Sequence, residues 1–201
     1  MLRTTLMTAA AVMAAAPAYA AVGDKLPAGL AKLSPDQIAD RVQVVDDPLE
    51  EHVVFSTKGV FRNSGVKDDV AVHDGFLEAR KTRAGGEVVW RVRHDLTYSG
   101  ARRDVKLVHV NTPDGLLKIA PGAVRRWSED CGDVAVVCSQ HLSVEFDLPE
   151  TAVRHIAAAW RPGDRTPWRV RFKDARGQDV TVGLAPVEVA GLVDAVDRAR
   201  R

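Results

Sequence analysis

From Val88 to Tyr98 the chain alternates. Val88, Trp90, Val92, His94, Leu96 and Tyr98 fall on one register, with Arg91, Arg93, Asp95 and Thr97 on the other. A two-residue period is the signature of a strand, so this stretch predicts one face in a core and the other in water. Phe76 to Thr82 precedes it across Arg83-Ala84-Gly85-Gly86, a turn that joins the two runs into a hairpin. Shorter runs at Val42 to Val45, His52 to Thr57, Val70 to Val72, Val105 to Val110, Ala123 to Trp127, Val134 to Val137 and Leu142 to Phe146 add further strands. Trp168 to Lys173 and Asp179 to Leu184 flank Ala175-Arg176-Gly177 as a last hairpin.

Helical signals are few. Ser34-Pro35-Asp36-Gln37 is a capping box with proline at the first helical position, opening a short helix that ends near Arg41. Asp147 with Glu150 offers a second N-terminus, before a stripe of Ala152, Val153, Ile156, Ala157 and Trp160. Pro186 opens the last helix, striped by Val189, Leu192, Val193 and Val196. Meandering strands with two amphipathic helices in the C-terminal half predict an α+β domain, a mainly antiparallel sheet with helices packed on it. A β-sandwich with helical additions is the alternative.

Residues 1–20 stand apart. Arg3 is followed by the apolar run Leu6 to Ala16, then Pro17 and the triplet Ala18-Tyr19-Ala20. This is the pattern of a secretory signal peptide cut after Ala20, and the run is shorter than the ~20 residues of a spanning helix. The expected product is a soluble periplasmic or secreted protein with no integral membrane segment after cleavage. Residues 21–33 read as a flexible lead-in and 34–201 as one domain. In an oxidising compartment Cys131 and Cys138 are expected to pair, a staple of about 2–3 kcal/mol on the chain-entropy model.

Setting aside 1–20, which hold one basic residue and no acid, the remaining 27 Lys and Arg match 27 Asp and Glu. That balance argues against nucleic acid and polybasic membrane-surface roles. No nucleophile elbow, zinc-protease helix, phosphate loop or calcium loop is present, and nothing implies a cofactor. Asp46-Asp47 and Asp68-Asp69 read as surface turns, and His73-Asp74 and His94-Asp95 as strand neighbours that point apart. Ser64-Gly65-Val66-Lys67 resembles the Ser-x-x-Lys of penicillin-binding enzymes over four residues only. That chemistry needs a helix to bring Lys back beside Ser, and the stretch reads as a turn.

Two arrangements remain as candidate sites. Trp90-Arg91-Val92-Arg93 recurs as Trp168-Arg169-Val170-Arg171, each placing Trp and Val on one face and two Arg on the other. Ordinary strand patterning accounts for the echo; the bolder readings are a duplication or two Arg rows forming one anion-binding surface. Pairing Tyr98 with Val105 would set Leu96 against Leu107 and His94 opposite His109, a cross-strand pair lacking a third metal ligand. The leading functional reading is therefore a non-enzymatic binding or scaffolding module of the cell envelope. Its ligand would be an envelope protein or a small amphiphilic or anionic molecule, the carrier version needing an apolar cavity lined by Trp90, Leu96 and the last helix. The alternative is an envelope hydrolase or metal-dependent enzyme built on His94 and His109.

Overall fold

The computed structural model describes residues 25–61, 65–67, 70–128 and 139–200. Residues 1–20, read as a signal peptide, the expected Cys131–Cys138 pair and the strand expected at Val134 to Val137 lie outside them. In chain order the elements are α1 (Pro35–Ala39), β1 (Gln43–Val45), β2 (His52–Ser56), β3 (Gly65–Lys67), β4 (Val70–Thr82), β5 (Val88–Ser99), β6 (Val105–Thr112) and β7 (Gly115–Ile119). β8 (Ala123–Ser128), β9 (Ser139–Leu148), α2 (Glu150–Ala158), β10 (Trp168–Asp174), β11 (Val180–Leu184) and α3 (Pro186–Arg198) complete the fold.

All pairings are antiparallel, and the molecule is α+β as the sequence predicts. Sheet A runs β1-β2-β4-β5-β9-β8, with β3 also on β4; sheet B runs β11-β10-β6-β7. Trp90, Val92, His94, Leu96 and Tyr98 all point inward from β5. Opposite them Val108, Val110, Val170, Phe172, Val182 and Leu184 point inward from sheet B. The Phe172 ring meets His94 at 5.7 Å and Phe146 at 6.2 Å, both edge to face, so the two sheets share one core. Helices α2 and α3 cover the rest of sheet A's inner face, with Val153, Ile156, Val189 and Leu192 in the same cluster.

Local chemistry sets the helix ends and their docking. Ser34 Oγ accepts from the Gln37 amide at 3.3 Å, and Gln37 Oε1 accepts from the Ser34 amide at 3.0 Å, the reciprocal cap expected. Arg198 on α3 donates to Asp36 at 2.6 Å and Asp40 at 3.0 Å, tying α3 to α1. Their backbones approach closely because position 191 is glycine: a Cβ there would lie 2.4 Å from Ile38. α2 departs from expectation. It starts at Glu150 without a side-chain cap, because Asp147 still belongs to β9 and bonds Arg91 instead.

Two further features lie beyond what the sequence predicts. Within 25–33, Leu26 and Leu30 are buried with Ile38, Ala185 and Val187 in a second apolar cluster. β7 was not expected, although Pro113-Asp114-Gly115 before it is a turn signal, with Gly115 at φ 112°.

Candidate functional site

β5 and β6 do not pair. β5 lies between β4 and β9 in sheet A, and β6 between β10 and β7 in sheet B. The phase of β6 is also shifted. Lys173 opposes Leu107 while Asp174 opposes Val105, so Lys106 is an extra bulged residue. The bulge puts Val105, Val108 and Val110 inside and turns Leu107 and His109 outward. The cross-strand His94–His109 pair is therefore not formed.

His94 is a core residue. It is 1% exposed, against Phe172, and neither ring nitrogen has a hydrogen-bond partner among the described residues. Burial, against the opposing charge of Asp95, lowers its pKa to about 4, so it is neutral and excluded from water. Its cross-strand neighbour is Gly75, where a Cβ would lie 2.6 Å from the ring. Among the described residues no group of three or more His, Cys, Asp or Glu side chains is placed to hold a metal ion.

Trp90 and Leu96 are each 1% exposed within the main apolar cluster. They pack the interior and do not line an internal ligand cavity. Space opens instead at the seam between sheet B and the helices. A groove of about 420 Å³ runs between the β6–β7 turn and α2, lined by Asp114, Leu116, Leu117, Pro149, Ala152 and His155.

The two Arg-bearing tetrapeptides point outward as expected, but from different sheets. On sheet A each guanidinium has acids beside it. Arg91 forks onto Asp147 at 2.7 and 3.1 Å, and Arg93 bonds Asp95 at 3.1 Å with Glu145 at 3.4 Å. The reason is register: Asp147 and Glu145 lie directly opposite Arg91 and Arg93 on β9. This face is neutralised.

The outer face of sheet B has a different balance. One cross-strand row reads Thr181–Arg171–His109–Lys118. Arg169, opposite Gly183, and Lys173, opposite Leu107, lie one step along β10 on either side of Arg171. Lys173 is paired with Asp179. Arg171 donates its Nε to Thr181 Oγ1 at 3.2 Å, and among the described residues neither Arg169, Arg171 nor Lys118 has a carboxylate within ion-pair distance. His109, half-buried at the centre, has its pKa lowered first by burial, then by the charges of Lys118, Lys173 and Arg171, with Asp179 opposing. Three neighbouring cations thus act on one imidazole.

Arg169, Arg171 and His109 were legible as candidates. Lys173 continues the same i, i+2 series, whereas Lys118 sits on the strand missed above. Glu188, on the first turn of α3, was also missed. It is 2% exposed, its Oε1 has no hydrogen-bond partner among the described residues, and burial, aided by Asp74, raises its pKa to about 8. Comparison with known proteins places this chain beside none of them: no family model, no curated protein and no solved structure matches it.

Proposed function

We propose that this chain is an exported, non-enzymatic binding module of the cell envelope, and that it meets an anionic ligand on the outer face of sheet B. Residues 1–20 support export by their signal-peptide pattern. The observation that carries the binding surface is the contrast between the two faces. Identical Arg-x-Arg pairs are matched by carboxylates on sheet A, while Arg169 and Arg171 on sheet B, with Lys118 beside them, have no carboxylate partners among the described residues. A cluster of like charge without counter-charges repels itself, and an arriving anion relieves that repulsion. An amphiphilic ligand has no room beside the buried Trp90 and Leu96, and the groove beside Leu116 is where its apolar part fits.

The test uses inorganic polyphosphate as probe, titrated by calorimetry at low salt. Arg169→Glu with Arg171→Glu is expected to weaken binding by about tenfold or more, since each charge-assisted contact is worth about 1.5–3 kcal/mol. Arg91→Gln with Arg93→Gln, on the opposite face, is expected to leave affinity within about twofold. Equal losses from both double variants, or no binding by the parent chain, would overturn the reading. Mass spectrometry of the chain exported to a periplasm tests the rest: a start at Ala21, and a mass two hydrogens short if Cys131 and Cys138 are joined.

A further inference from the structure

Antiparallel neighbours directly opposite each other have Cα atoms about 4.5–5.5 Å apart and project to the same face. Arg171 and Lys118 are the two cross-strand partners of His109, so the three side chains leave the sheet side by side. They present three kinds of donor along one cross-strand row of the outer face. Arg171 keeps its terminal nitrogens available because its one side-chain hydrogen bond among the described residues, to Thr181, uses Nε. Lys118 is exposed, and neither its ammonium nor the His109 imidazole has a hydrogen-bond or ion-pair partner among the described residues. Leu107 and Asn111 on the same strand bring no charge, and the exposed, bulged Lys106 is paired with Asp104.

Resting on the reading of this face as the ligand surface, we propose that Arg171, His109 and Lys118 form a site for a phosphate-type tetrahedral anion, and that His109 gains proton occupancy from solvent as the anion binds. A phosphate monoester presents three acceptor oxygens and close to two negative charges near neutral pH, matching three donors from three strands. A carboxylate brings two oxygens and one charge. The charged groups that face His109 are Arg171 and Lys173 on β10, Lys118 on β7 and Asp179 in the β10–β11 turn. Three of these four disfavour the imidazolium. A bound dianion reverses that balance and favours it, so anion binding and protonation strengthen each other reciprocally.

Sulfate isolates the effect, because it is a tetrahedral dianion that does not titrate in this range. In the parent chain the His109 imidazole, followed by NMR between pH 5 and 8.5, is expected to rise by about half a unit or more at saturating sulfate. Sulfate affinity should then strengthen by about threefold or more as pH falls from well above the bound His109 value to well below the free one, the same linkage read from the other ligand. His109→Gln should keep weak binding and lose its pH dependence. Inorganic phosphate and vesicles carrying phosphatidic acid separate the two sources of a phosphate group. Tighter binding to vesicles with the same His109 response assigns the site to a lipid headgroup, and tighter binding to free phosphate assigns it to a soluble one. Sulfate binding without movement of His109, or a response equally strong in His109→Gln, overturns the proposal. If polyphosphate still distinguishes the two Arg double variants, only this inference falls; if polyphosphate also fails to bind, the functional reading falls with it.

Discussion

Gly75→Ala is expected to destabilise the fold by about 2–3 kcal/mol, in the range for overpacking a close-packed core. For a domain of this size that lowers Tm by about 5–10 °C. The backbone at Gly75 needs no special conformation; what it needs is room. The added Cβ would lie 2.6 Å from both Cε1 and Nδ1 of His94. That ring has nowhere to move, being 1% exposed and in edge-to-face contact with Phe172 from the other sheet. The coupling is therefore specific. In a His94→Ala background the same change at 75 fills vacated space and should cost about nothing, an interaction energy near the full single-variant loss. Thermal unfolding of the four chains in this cycle measures it. An undiminished cost in the His94→Ala background would mean that His94 does not set the space at Gly75.

This pair also shows where local pattern stops being informative. The period of two from Val88 to Tyr98 was legible, and all five inward residues from Trp90 onward are buried as it requires. What the period does not contain is the identity of the neighbouring strand. β5 pairs with β9, whose residues start 40 positions beyond the end of β5, although β6 follows within six. Alternation in β6 was misread for a second reason. One bulged residue, Lys106, reverses the phase of everything after it, so Leu107 and His109 face out where continuous alternation from Val105 places them in. The Arg echo makes the same point chemically. Both tetrapeptides orient identically, yet one is neutralised by Asp147, Glu145 and Asp95 and the other faces Thr181, Gly183 and His109. The face was written in the tetrapeptide; the partners were written elsewhere in the chain.

Glu188→Gln is expected to stabilise the protein at pH 8 by about 3 kcal/mol or more, and to leave it unchanged below pH 4.5. The sign follows from the direction of the shift. An unfolded glutamate loses its proton near 4.5, whereas folded Glu188 holds one up to about 8. Between those values the folded state binds the extra proton, so its stability falls by about 1.4 kcal/mol for each pH unit gained. The first turn of α3 is where a helix dipole favours a carboxylate, by at most about 2 kcal/mol. Burial, with an Oε1 that has no hydrogen-bond partner among the described residues, and the charge of Asp74 outweigh it. His94 acts in the opposite sense: its folded value of about 4 makes stability rise with pH up to its ordinary 6.5. The two slopes oppose each other from 4.5 to 6.5, which hides both in the parent chain. Subtracting the parent's denaturation free energy from the variant's at each pH separates them. The difference should start near zero at pH 4.5, climb steadily and level off above 8. A difference that stays flat across that window would mean that Glu188 is ionised in the folded protein, with water or a cation reaching its carboxylate.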